Sequence, residues 1–254
     1  MKGLIYKDFF SLRKNMKIFA LVSVGALIVG IMFLLSSKYG NLARELALME
    51  QESQVDGLLT MQAMETGMWF VVLLPIGFIT DVHQCFKEDA RVGFGKVLSG
   101  VALSHGQIVG SRYLTTLIYG GVSMAVALVC AFFVQLVPMD MEMGNLFVGT
   151  MTFTAIAFLY MSFYLFMVYL CGTKKAELIQ MIPLVIMFVA MGFAAVKLNG
   201  LTDEEITRLI LESGDKLKWF LENGYKVLIP ASVAGMLLSY AGSVAAVKRQ
   251  RRVL

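Results

Sequence analysis

Residues 18–36 read IFALVSVGALIVGIMFLLS, a run of 19 with no charge in it. A bilayer offers no water to bond backbone N–H and C=O groups, so a segment that crosses it must bond them internally, as a helix of about 20 apolar residues does. This run has that length. A signal sequence has an apolar core of about 7–15 residues followed by a small-residue cleavage site, and no such site follows here. The run is therefore expected to stay as a first membrane span.

Working outward, five more stretches reach the same length: 61–80, 113–137, 146–171, 178–196 and 227–247. The second contains Pro75 and the fifth Pro183. A proline lacks the N–H that a helix interior needs, so each is expected to kink its span. The composition agrees, with 58% hydrophobic residues, 16% charged and a mean hydropathy of +0.73. A soluble domain carries about 25% charged residues. The sequence reads as an all-α, polytopic membrane protein with six transmembrane helices, and no linker divides its 254 residues, so 1–254 form a single domain.

Charge sets the orientation. With the N-terminus inside, about two thirds of the 22 lysines and arginines fall on cytosolic segments, and most acids fall outside. Both termini are then cytosolic. The positive charges lie at the ends of apolar runs rather than on one soluble face, which argues against nucleic acid as a partner.

Four segments lie between or before the spans. Residues 1–17 alternate Ile5, Phe9, Phe10 and Leu12 with Lys2, Lys7, Arg13 and Lys14. This pattern predicts a short amphipathic helix lying on the inner membrane surface, with Tyr6, Phe9 and Phe10 as its interfacial aromatics. Residues 37–60 keep helical spacing and are expected to prolong the first two spans outward. Residues 81–112 form an inner connection with Phe86, Phe94, Val97, Leu98, Val101, Leu103 and Ile108, too apolar for a solvated linker. Residues 199–226 open with Thr202-Asp203-Glu204-Glu205, a capping box. They read as two short helices broken at Gly214, forming an extracellular cap before the last span.

No catalytic constellation is apparent. His83 and His105 stand in no HExxH pattern and read as ordinary loop histidines, and no GxSxG is present. Cys85, Cys130 and Cys171 form no CxxC pair; they are expected to be small apolar fillers, and no metal site is expected. The segment Ala90-Arg91-Val92-Gly93-Phe94-Gly95-Lys96 falls short of a nucleotide loop, because alanine stands where GxxxxGK begins and Val97 follows the lysine. The spans hold almost no ionisable residue at mid-depth, which argues against an ion-coupled carrier.

Two patterns within the spans allow more than one reading. Ala231, Gly235, Ser239 and Ser243 recur at every fourth position of the last span and form one face of small residues. Such a face permits close helix approach, either inside the bundle or against another subunit. Eighteen methionines are present, among them Met124, Met161, Met187 and Met191 within spans. They read as core filler or as an adaptable substrate path for apolar ligands.

Two stretches carry a family resemblance. The opening MKGLIYKDFFSLRK of residues 1–14, and KVLSGVALSHGQIVGSRYL of residues 96–114, resemble the signatures of permease subunits of type-2 ABC exporters in Gram-positive bacteria. The second departs from the family pattern at Gly100, Val101 and Ala102, where a leucine–proline pair is usual. The nearest likeness is to exporters of amphipathic peptides, of the phenol-soluble-modulin or antimicrobial type. The resemblance implies no cofactor on this chain, with ATP and Mg held by two copies of a separate cytosolic ABC ATPase. It also implies pairing with a second permease copy as a homodimer in the cell membrane, and an amphipathic peptide as substrate. It places a coupling helix around Phe86–Leu98, within the cytosolic coupling segment 81–112, with Phe86, Glu88, Arg91, Phe94 and Leu98 meeting the ATPase. The alternatives are an ion-gradient-driven secondary transporter, or a membrane assembly protein that moves nothing.

Overall fold

The structure is a computed structural model that describes residues 2–53, 58–94, 103–136, 146–179, 181–182 and 203–251. Among these residues the regular secondary structure is all helical. The first helix, α1, runs Lys2–Tyr39, 38 residues without a break. At 1.5 Å per residue it is about 57 Å long, well beyond the hydrocarbon thickness. The expected boundary at residue 17 is therefore absent. Nothing between Arg13 and Ile18 breaks a helix, and Asp8 and Leu12 are buried against the bundle. The segment read as a separate surface helix is the end of α1, pinned to its neighbours.

A bend at Gly40 separates α1 from α2 (Asn41–Ser53), and α3 follows as Leu58–Gly77. The expected outward prolongation of the first two spans is short: α1 runs on to Tyr39 and α3 starts at Leu58, whereas α2 is a separate helix set off by the bend. Pro75 lies two residues before the end of α3, and there the α-helix gives way to a 3₁₀ turn, Phe78–Val82, which leads into α4 (His83–Arg91). The expected kink thus takes the form of a tightened turn. Thr80 Oγ1 donates to the Gly77 carbonyl at 2.8 Å, and His83 Nδ1 lies 2.7 Å from the Thr80 carbonyl. The helix α4 stops at Gly93, whose φ of 64° is the left-handed conformation that closes helices at low cost.

Helix α5 spans His105–Gln135 and starts with a reciprocal cap. Gln107 N donates to Ser104 Oγ at 3.2 Å, and Ser104 N donates to Gln107 Oε1 at 3.1 Å. Helix α6 spans Leu146–Cys171 and ends at Gly172, with φ 84°. Helix α7 spans Asp203–Arg251, 49 residues in one piece. Gly214 does not break it. An interior glycine disfavours a helix by only about 1 kcal/mol relative to alanine, and the good helix formers around it outweigh that. The expected pair of short helices is therefore the first part of one helix that continues through the last span, with Pro230 inside it. Thr202, Pro183 and most of the expected fifth span, 178–196, lie outside the described residues.

Five helical stretches among the described residues are long and apolar enough to cross a membrane: Lys2–Tyr39, Gly67–Arg91, His105–Gln135, Leu146–Cys171 and Asn223–Arg249. Helix α5 stands at the centre and touches α1, α3, α6 and α7, while α6 and α7 pack along much of their length.

Large aliphatic side chains cover the outer surface of the helices as well as filling the core, unlike those of a soluble protein. Along α1 the buried positions are Phe19, Ser23, Ala26, Gly30, Leu34 and Ser37, whereas Leu21, Val24, Ile28 and Met32 are exposed. Thr115, Thr116, Ser123, Thr150 and Thr152 are wholly buried. Most of these hydroxyls need no partner from another helix. Thr115, Thr116, Thr150 and Thr154 each donate to the carbonyl four residues back, at 2.6–2.9 Å. Small residues and self-satisfied hydroxyls are thus accommodated inside among the apolar core side chains, while further large aliphatics face outward, as lipid solvent favours.

Candidate functional site

The charged centre of the described structure lies where the α1 N-terminus, α4 and the start of α5 meet. Asp8 is 1% exposed, and the Arg112 side chain 7%. Aspartate and arginine are almost never buried so deeply unless paired. Arg112 Nη1 stands 2.6 Å from Asp8 Oδ1, and Arg112 Nη2 also bonds Asp89 Oδ2. Lys7 Nζ lies 3.3 Å from Asp8 Oδ1 and bonds Asp89 Oδ1. The four residues thus form a closed ring in which each carboxylate meets both cations.

Neighbouring groups complete it. Thr115 Oγ1 also lies 3.3 Å from Asp8 Oδ2, so its single hydroxyl proton is shared between that carboxylate and the Ser111 carbonyl. The Arg112 guanidinium stacks over the Phe86 ring at 4.9 Å, and Lys7 Nζ sits 3.9 Å from the centre of the Phe94 ring. Asp89 occupies the last turn of α4, where the helix dipole disfavours a carboxylate, so its two cations offset that penalty. Beside the ring lies a cavity of about 250 Å³, lined in part by Leu4, Lys7, Asp89, Phe94, Arg112 and Tyr169.

The structure sorts the residues expected to face a partner. Phe86 is only 7% exposed and stacks edge-on against Tyr164 and Tyr169. It is core, not a free docking side chain, because the bend after Pro75 turns this face of α4 onto α6. Glu88 and Arg91 point out, with 42% and 75% of their side chains exposed, paired with each other at 2.8 Å. Phe94 is half-buried beside Lys7, and Leu98 lies outside the described residues. On α1, Tyr6 and Phe10 are 75% and 64% exposed, whereas Phe9 packs against the core.

Of the methionines on the expected substrate path, Met161 is wholly buried in the core and Met124 is half-buried. Met187 and Met191 lie outside the described residues. A ligand reaches Met161 only if helices move. The small-residue face of α7 packs within the bundle. A Cβ on Gly235 would meet Leu159 Cδ2 at 3.0 Å, Ser239 donates to the Ser162 carbonyl, and Ser243 Oγ lies 3.0 Å from the Tyr113 hydroxyl. Ala231 is half-buried on the same helix. Cys85 and Cys130 are buried, but Cys171 is exposed at the end of α6, so it is not the core filler expected. Among the described residues no group of three or more His, Cys, Asp or Glu is arranged to hold a metal.

The ring itself was not expected from the sequence. Its signal was present, since Asp8 is the only acid before Glu45 and stands among five basic residues of the first seventeen.

A family model described as ABC-2 family transporter protein matches residues 57–247. The chain belongs to the ABC-2 transporter family. It is a multi-pass membrane protein and a transmembrane component of an ABC transporter. The matched region of this ABC-2 chain runs from the start of α3 to near the end of α7. It includes Asp89 and Arg112 but not Lys7 and Asp8, so the ring ties α1 to the family-matched body. No curated protein and no solved structure matches the chain.

Proposed function

We propose that this chain is the permease subunit of an ATP-driven exporter that moves amphipathic peptides out of the cell by alternating access. ATP and Mg are held by two copies of a separate cytosolic ABC ATPase, and the chain pairs with a second copy of itself in the cell membrane. The α4 end faces the cytosol, as the surplus of Lys and Arg on that side favours. The observation that carries the docking assignment is the projecting tip of α4. There Glu88 and Arg91 stand exposed at the end of a membrane-length helical run, Gly67–Arg91. A charged, exposed helix end of this kind suits a groove on a soluble partner, with Phe94 and Leu98 beyond it as apolar contacts. Phe86 acts from below, by fixing α4 onto α6.

The peptide class rests on the resemblance of residues 1–14 and 96–114, and on spans whose methionines adapt to varied apolar shapes. Movement of α4 on ATP binding opens the helices around Met161, and the N-terminal part of α7 is the outer gate.

A second reading is favoured by one observation. Asp8 is a buried carboxylate in a helix of membrane length, the kind of group that ion-coupled carriers use. Such a carrier moves its substrate on an ion gradient with no nucleotide present.

The test is purification of the tagged chain in mild detergent, with mass spectrometry of what accompanies it. A stoichiometric soluble protein bearing a Walker motif is expected. A chain that purifies alone, under conditions that keep other membrane complexes whole, overturns the exporter reading in favour of the carrier.

A further inference from the structure

Three segments far apart in sequence end on one ring of charge: α1 through Lys7 and Asp8, α4 through Asp89, and α5 through Arg112. Helix packing does not require this. Elsewhere the helices meet through an apolar core together with small residues and hydroxyls, and apolar side chains of the same volume often serve as well as a buried ion cluster. What a ring adds is resistance to partial separation. If α4 withdraws Asp89, Asp8 alone faces both Lys7 and Arg112, and one buried positive charge is left uncompensated. A low-dielectric site opposes that strongly, so α1 and α5 follow α4 rather than part from it. Both aromatic contacts on the cations, Phe86 and Phe94, belong to α4 or the turn just after it, which adds to the grip.

We propose that the Lys7–Asp8–Asp89–Arg112 ring is the mechanical joint through which displacement of α4 reaches the inner ends of α1 and α5. It rests on the exporter reading for the source of the movement. The ring is the point where α1, outside the family-matched region, is tied to the body that carries the partner-facing tip. Lys7 and Asp89 are its outer members, with side chains 26% and 21% exposed, so they can be altered with less damage to folding than Asp8 or Arg112.

The experiment uses the chain co-purified with its ATPase. Distances are measured by electron paramagnetic resonance between spin-labelled non-natural residues. One label stands on Leu237 of α7 as reference, a second on Lys87 of α4 or on Tyr6 of α1; all three positions are exposed. Trapping with ATP and vanadate is expected to shift both the Lys87 and the Tyr6 distances. In Asp89→Asn the Lys87 shift is expected to persist and the Tyr6 shift to be lost, while Asp89→Glu restores it. Lys7→Met serves if Asp89→Asn does not purify as a single species, and is expected to act in the same way. A Tyr6 shift of wild-type size in these variants overturns the joint. So does a wild-type complex in which Lys87 moves and Tyr6 does not, with the exporter reading left standing. A complex in which neither label moves overturns both.

Discussion

Two parts of this protein are held together by opposite means. At the α4 end, α1, α4 and α5 meet through four charges, two of them almost wholly buried. Along the α6–α7 seam the contacts among the described residues are uncharged. Gly235 and Gly242 let Leu159 and Phe166 approach, Ser239 donates to a backbone carbonyl, and an apolar groove of about 420 Å³ runs beside them. The seam sits where lipid is the solvent and gains from close van der Waals contact. The ring sits at a helix end, and its members hold one another in place only while all are present. A seam of the first kind tolerates sliding and small substitutions. A ring of the second kind is all or nothing, which suits a point that transmits movement.

The largest expected effect tests that contrast directly. Arg112→Met leaves Asp8 buried with only Lys7 beside it, and should destabilise the chain by about 3–5 kcal/mol in denaturant unfolding in detergent. Removing both partners, with Asp8→Leu added, should recover part of that loss, because Lys7 and Asp89 remain a neutral pair. If the double variant is less stable than the single one, the ring is not the unit described.

Next in size is overpacking of the seam. A Cβ on Gly242 already stands 2.8 Å from Phe166 Cε2. Gly242→Leu should cost about 1–3 kcal/mol in the same assay. A loss as large as that of Arg112→Met would erase the difference between the two regions.

A smaller effect is expected where α5 meets the seam. Tyr113→Phe removes hydroxyl contacts with Ser239 and Ser243. Hydrogen bonds between membrane helices average about 0.6 kcal/mol, so a loss of roughly 1 kcal/mol is expected in unfolding midpoint experiments. The smallest effect on stability belongs to the α4 tip. Arg91→Ala breaks an exposed pair three residues apart and should change stability by less than about 0.5 kcal/mol. Its effect should appear in partner binding instead.

The same comparison explains what could be read from sequence. The seam was legible because its small residues recur every four positions within one segment, and helical geometry places them on one face. The spans were legible for the same reason, since apolar length is local. The ring was not, because Asp8 and Arg112 are about a hundred positions apart and only tertiary packing joins them. The charges of residues 1–17 read as a surface helix for that reason. Their amphipathic pattern fits a membrane surface, but the acid buried at its centre needs a partner from another segment. Gly214 misled in the other direction, as a local breaker signal overridden by the strong helix formers around it. Phe86 looked available because its apolar neighbours lacked an obvious place to pack, and Tyr164 and Tyr169 on α6 supply it.

The most direct test of the central claim is a paired pull-down: the wild-type chain, and a variant with the α4 tip reversed, Glu88→Arg with Arg91→Glu. This reversal keeps the pair's internal attraction and leaves the ring untouched. The account predicts that wild type brings down a stoichiometric ABC ATPase, and that the variant, equally abundant and equally stable, brings down far less. A variant that retains the ATPase in full would contradict the assignment of the α4 tip as the docking element, and a wild-type chain that purifies alone would contradict the exporter itself.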